Sequence, residues 1–280
     1  MSRVGFRDRF QNLKETVSQW TDSAASGSLD NKIERNLAEM ESGTEIERTA
    51  AVKALVIQAQ TDDKWTDPII NSFLRVLPNQ LASPQEAIID GLLELRKIKT
   101  SREEDIFEAI QETLDSPYPS VRSKVVGIWT RFSLESDLQS SDMIAVLFEM
   151  LSDDDKDVRY QTQEALSEVL HTVPKVALPE LKNALGDDDW RVTYHSIVLL
   201  TEFAKKYPDP SVALAPEVIS AFNSGERLKE RAADCIGMLG LANPEAVKAA
   251  IPALIKGLES KSSELRKSSA TALGRIGSKN

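Results

Sequence analysis

The chain has 280 residues, 41% of them hydrophobic and 28% charged, with 12 glycines and 12 prolines. That composition sets aside disordered and fibrous classes and is ample for a buried core. A formal charge of -10 makes nucleic acid, whose phosphates need clustered cations, a poor default partner. It favours a protein partner carrying a basic patch. One cysteine, Cys235, and two histidines, His171 and His195, cannot make an internal disulfide or a Cys/His zinc site, and they fit a reducing, cytoplasmic setting. No stretch approaches the roughly 20 apolar residues of a membrane span, and no secretory signal is expected.

Taken in chain order, residues 1–22 predict an amphipathic helix. Phe6, Phe10, Leu13, Val17 and Trp20 alternate four and three residues apart, which aligns them in one narrow apolar stripe. Arg3, Arg7, Arg9 and Lys14 against Asp8 and Glu15 give this segment a net positive charge, although the rest of the chain is acidic. Three roles follow: a cap over the first repeat, a helix that docks on a partner or on a second copy, or a peripheral contact with an anionic membrane. Residues 23–31, including SAASGS, read as a flexible linker.

From residue 32 to 280 the chain repeats. Apolar anchors fall at Met40, Leu77, Leu114, Leu151, Leu185, Phe222 and Leu258, separated by 37, 37, 37, 34, 37 and 36 residues. Four residues before the last six anchors stand Phe73, Ile110, Leu147, Leu181, Val218 and Leu254, which defines a first helix, A. A polar turn follows, and seven residues past the anchor Val121, Val158, Val192 or Leu265 opens a second helix, B, with Leu228 one residue early. Pro179, Pro216 and Pro252 share one register six residues before their anchors and are expected near the start of helix A, where a missing N–H costs least.

The unit resembles the HEAT-like repeat through Leu151, Asp153, Val158, Arg159, Ala165 and Leu166 in the fourth copy and Leu258, Leu265, Arg266, Ala272 and Leu273 in the seventh. The second copy, with Pro84 and Gln85 where Val and Arg belong, and the first, with Glu47 and Arg48, depart most. The resemblance implies an all-α solenoid of about seven helix-turn-helix repeats whose B helices line a concave face. It also implies a ladder of Asp–Arg pairs between repeats, built from Asp153, Arg122, Arg159, Arg266 and their equivalents. Function is left open, because such arrays serve as scaffolds, DNA binders, transport adaptors and bilin-lyase-like enzyme subunits.

Two groups of residues stand out as candidate contacts. Asp153, Asp154 and Asp155 fall at the same point of their repeat as Asp187, Asp188 and Asp189. They predict an acidic ridge that either caps the B helices or receives a basic partner. Tyr160, Trp190 and Tyr194 are the aromatic residues least constrained by the core pattern, and they suit a recognition surface.

Cys235 and Trp129 take core positions, and the two histidines are expected at the surface. No P-loop, dinucleotide fingerprint or His-Glu-x-x-His arrangement is present, so no catalytic residue, metal or cofactor is expected. The sequence thus predicts a non-catalytic adaptor for a protein partner. The alternatives are nucleic-acid binding through a stripe such as Lys124, Arg131, Lys205 and Arg231, or less favourably a bilin-lyase-like activity. The apolar flank after Ile276 is expected to be covered by self-association or a partner, or relieved by the small residues Ser268, Ser269 and Ala270.

Overall fold

A computed structural model of the chain describes residues 28–134 and 141–278. The expected amphipathic helix over 1–22 lies outside the described residues. Among the described residues all regular structure is helical, and the protein is an all-α solenoid. Helices α1 (Ser28–Ser42) and α2 (Glu45–Thr61), α3 (Thr66–Val76) and α4 (Ala82–Arg96), and α5 (Glu103–Glu112) and α6 (Pro119–Leu134) form the A and B members of the first three copies. Helix α1 thus begins within the 23–31 segment expected as linker. Two compact units, Met1–Val125 and Val126–Asn280, divide the chain within α6.

The second unit continues with α7 (Ser141–Glu149) and α8 (Lys156–Thr172), then α9 (Pro174–Ala184) and α10 (Trp190–Lys206). In the sixth copy a short α11 (Pro208–Val212) precedes α12 (Ala215–Ser224) and α13 (Glu226–Ala242). In the seventh, α14 (Pro244–Val247) precedes α15 (Ile251–Gly257) and α16 (Ser263–Gly277).

The periodic apolar residues form the core between A and B members. Phe73, Ile110, Leu147, Leu181, Val218 and Leu254 are all buried, as are Val121, Val158, Val192, Leu228 and Leu265 from the facing helices. Each such side chain removed from water contributes about 1.5–3 kcal/mol before the entropy of ordering it is subtracted. Anchors Leu77, Leu114 and Leu151 sit in the single 3₁₀ turns that end helix A and tighten the chain into the A–B connection. Met40, Leu77, Leu151, Leu185 and Phe222 are buried, Leu114 is half-buried, and Leu258 is 39% exposed.

The prolines behave differently from their common register. Pro216 and Pro252 stand at the second position of α12 and α15, whereas Pro179 lies inside α9, which starts a turn earlier at Pro174. In copies six and seven the segment before the proline has separated into α11 and α14, because a residue without an N–H cannot bond the preceding turn. The fifth copy carries fewer residues ahead of Pro179 and keeps one helix across it.

Eight residues after the anchor, six of the seven copies place a side-chain donor on a carbonyl of their own A–B turn. Arg48 reaches Gly43 O at 2.7 Å, Gln85 reaches Leu77 O at 3.0 Å, and Arg122 reaches Ser116 O at 2.6 Å. Arg159 binds Asp153 O and Asp154 O, Thr193 binds Asp187 O at 3.1 Å, and Arg266 binds Ser260 O at 2.7 Å. The recurring arginines thus satisfy turn carbonyls left over at the end of helix A, and an Asp–Arg contact between repeats is made by Arg191 with Asp154. Thr193 and Gln85, which look like departures in sequence, perform the same task. In the sixth copy Lys229 pairs with Glu226 instead, and Gly225 precedes α13 without a side-chain cap.

Candidate functional site

The acidic ridge is largely occupied by its own backbone. Asp155 Oδ1 accepts from the N–H of Asp157 at 2.8 Å and of Val158 at 3.2 Å, capping α8, and Asp189 Oδ1 accepts from Arg191 N–H at 2.8 Å, capping α10. Asp153 and Asp187 accept from Asp155 N–H and Asp189 N–H at 2.8 and 2.7 Å, which fixes the two turns. Asp154 pairs with Arg191 at 3.0 Å and so ties the fourth copy to the fifth. Asp188 alone of the six makes no hydrogen bond or ion pair among the described residues.

The hydrogen bond from the Arg191 side chain holds the Asp189 carboxyl below its ordinary range. No cluster of His, Cys, Asp and Glu suited to a metal occurs among the described residues.

The three aromatic residues share the B-helix surface of copies four and five. Tyr160 on α8 is 60% exposed and Trp190 at the start of α10 is 43% exposed, while Tyr194, one turn further, is half-buried. Glu164, beside Tyr160, raises the pKa of its hydroxyl by hydrogen bonding. Trp190 and Tyr194 meet edge to face with centroids 6.4 Å apart, and Tyr194 meets His195 in the same way at 5.3 Å.

The sixth copy contributes two cations to this surface. The Arg227 guanidinium carbon lies 4.7 Å from the centre of the Trp190 ring, and that of Arg231 lies 5.9 Å from the centre of Tyr194. Arg231 Nε also donates to the Tyr194 hydroxyl at 3.1 Å. Each contact spans one 37-residue repeat, and both pairs step four residues along their helix, so α10 and α13 carry two aromatic–guanidinium rungs. Such contacts contribute about 0.5–1 kcal/mol each at exposed sites. The shared offset of 37 between two i, i+4 pairs was present in the sequence, although only Arg231 was singled out there, and for nucleic acid.

On the other side of the rungs, His195 Nδ1 hydrogen-bonds the side-chain amide of Gln163 at 2.6 Å. Burial, and secondly the charge of Arg159, lowers the pKa of His195. His171 Nδ1 lies 2.7 Å from Ser167 O, and its ring meets Phe203 and Tyr207. Both histidines are therefore half-buried packing groups rather than the surface residues expected. Cys235 is fully buried, and burial pushes its thiol up to about 12, where it is no nucleophile at neutral pH. Trp129 is buried as expected.

The stripe considered for nucleic acid is partly neutralised, since Lys124 pairs with Asp90 at 2.7 Å and Lys205 with Glu202 at 2.6 Å. At the seventh copy Ser268 and Ser269 are buried while Ala270 is exposed. The two serines therefore pack inward instead of softening an outer face. No helix among the described residues is long and apolar enough to cross a membrane.

Comparison with known proteins agrees with the helical architecture. Residues 107–201 match a family model described as HEAT repeats, and residues 226–276 match one described as HEAT-like repeat. No curated protein sequence gives a significant match. Among solved structures, Kap121p bound to Nup53p is similar with a TM-score of 0.61 and 16% identity over 96% of this chain and 32% of that one. Kap121p bound to RanGTP gives 0.59 and 17% over 97% and 33%. The Kap95p chain from its complex with RanGDP gives 0.56 and 15% over 90% and 36%. This chain thus spans about a third of the length of these karyopherins, and at such identity the likeness is one of fold.

Proposed function

We propose that this chain, a HEAT-like repeat protein by its recurring helix pairs and by the family models it matches, is a non-catalytic scaffold that binds a protein partner on the B-helix surface of copies four to six. The observation that carries this reading is the pair of exposed aromatic residues Tyr160 and Trp190 on B helices, with the half-buried Tyr194 against Trp190. Large aromatic side chains anchored on regular elements offer contact area at low entropic cost, and they dominate binding energy in protein interfaces. Asp154 and Asp188 lie at the edge of this surface and supply polar contacts. The segment with Phe6, Phe10, Leu13, Val17 and Trp20 adds a second contact to a partner.

Kap121p was solved with Nup53p, with RanGTP and with the SUMO protease Ulp1p. Those protein partners support a protein-binding use of this helical architecture. The pairing of Lys124 and Lys205 with carboxylates weakens the nucleic-acid alternative.

Affinity capture from cells of the source organism tests the reading. It compares the full chain, Trp190→Ala/Tyr160→Ala, and a version starting at Leu29. The aromatic variant is expected to lose at least one protein that the full chain retains after nuclease treatment, and the shortened version to lose a different contact. An unchanged set of captured proteins with the aromatic variant would rule the surface out.

A further inference from the structure

The rungs between α10 and α13 hold two guanidinium groups that make no ion pair among the described residues. Arg227 makes no ion pair or hydrogen bond to any described residue, and Arg231 makes only the Nε bond to Tyr194. Both guanidinium groups are exposed. Their surroundings differ from those of Arg191, which is committed to Asp189 and Asp154, and of Lys229, which is committed to Glu226. Glu230 and Asp234 flank Arg231 along α13 without pairing with it.

A guanidinium held near a ring, with at most its Nε bonded, keeps its terminal Nη donors free, and those donors fit a carboxylate with two parallel bonds. The aromatic faces also hold both side chains in place, so less rotamer freedom remains to be lost on binding.

Spacing narrows the ligand. Arg227 and Arg231 are four residues apart on one helix, a rise of about 6 Å. Side chains two apart on an extended strand share one face and are separated by about 6.6 Å. A strand lying along α13 therefore brings carboxylates at alternate positions over both guanidinium groups, with Trp190 beside it for an apolar or aromatic side chain.

We propose that the Arg227–Trp190 and Arg231–Tyr194 rungs dock an extended acidic peptide of a partner protein, reading carboxylates at alternate positions. This rests on the B-helix surface being the protein-binding face, and it makes the partner's local charge the opposite of what the net charge of -10 suggests. The ridge carboxylates that set that expectation are mostly engaged as caps and turn ties.

The test uses the full chain and a fluorescein-labelled peptide of alternating glutamate and serine, read by fluorescence anisotropy at low ionic strength. Peptides with lysine in place of glutamate, and with glutamate at every third position, serve as controls. The alternating glutamate peptide is expected to bind, the controls to bind weakly, and Arg227→Gln/Arg231→Gln to lose about tenfold in affinity with an unchanged thermal melt. Arg227→Glu/Arg231→Glu should reverse the preference towards the lysine peptide, a gain that a damaged fold cannot imitate.

Equal affinity of the glutamine variant and the parent, equal binding of the lysine peptide to the parent, or no binding of the glutamate peptide would overturn the proposal. Tighter binding of a single-stranded oligonucleotide at the same arginines would assign them to phosphate and overturn it as well. A captured partner that is lost with Trp190→Ala but retained with Arg227→Gln/Arg231→Gln would keep the protein-binding surface and reject the acidic strand.

Discussion

Helix α13 meets its two neighbouring B helices in opposite ways. Towards α16 it presents Gly237 and Gly240 and comes so close that an added Cβ at Gly237 would stand 2.8 Å from Ala272 Cα, and one at Gly240 would stand 2.5 Å from Ile276 Cγ1. Towards α10 it presents Arg227 and Arg231, whose long side chains lie over the Trp190 and Tyr194 rings. One side is tight and intolerant of volume; the other is polar and partly exposed. The tight packing and the surface proposed for recognition thus lie on two faces of one helix, which predicts that substitutions on them will have separable effects.

The largest effect is expected on the tight side. Gly237→Val should destabilise the protein by about 3 kcal/mol, because the obstructing atom belongs to backbone and cannot rotate away. Calorimetric or denaturant unfolding would show this, and a neutral result would mean that α13 and α16 separate more readily than their packing implies. Helix propensity by itself would favour the change away from glycine, so the sign isolates the packing.

Next in size is the loss of a cap on the α10 side. Asp189→Ala should cost about 1 kcal/mol at neutral pH. Since the folded-state pKa of Asp189 is depressed, principally by its bond from Arg191, this stabilisation is present above the ordinary carboxylate range and disappears as pH falls through the folded value. The gap between parent and variant in urea titrations should therefore close in acid.

Arg227→Gln is expected to change stability by about 0.5 kcal/mol or less while weakening capture of an acidic peptide. Loss of stability comparable to that of Gly237→Val would erase the distinction between the two faces.

The smallest effect concerns His195. Its folded-state pKa is lowered, chiefly by burial, so the unfolded chain binds the proton first and stability declines as pH falls below about 6.5, the ordinary histidine value. His195→Gln should flatten that part of the thermal stability profile between pH about 7 and about 5. An unchanged slope would place the dependence on another group.

Much of the fold could be read from the sequence because its signal is local. Phe73, Ile110, Leu147, Leu181, Val218 and Leu254 mark one face of each A helix, and the structure buries every one. Pro179 was misplaced because proline tolerance depends on how many residues precede it in the helix, which the anchor register does not encode.

The turn ties were partly visible. Arginine recurrence was apparent, but its acceptor is backbone carbonyl, which has no residue type to recognise, and so Thr193 and Gln85 could not be seen as equivalents.

Among the candidate contacts, Tyr160, Trp190 and Tyr194 were legible as residues outside the apolar pattern. Arg227 was not, since contact across repeats depends on which flank of helix B faces the next copy. The acidic ridge was legible as a recurring motif, whereas its engagement in capping depends on turn geometry.

Photocrosslinking tests the central claim most directly. A photoreactive phenylalanine analogue placed at Tyr160, on the proposed recognition face, is compared with one at Lys182 on helix A of the fifth copy, each in the full chain expressed in its own cells. The account predicts a specific protein adduct from position 160, lost when Trp190→Ala or Arg231→Gln is added, and none from position 182. Adducts from 182 without any from 160 would contradict it and move the binding surface to the A helices.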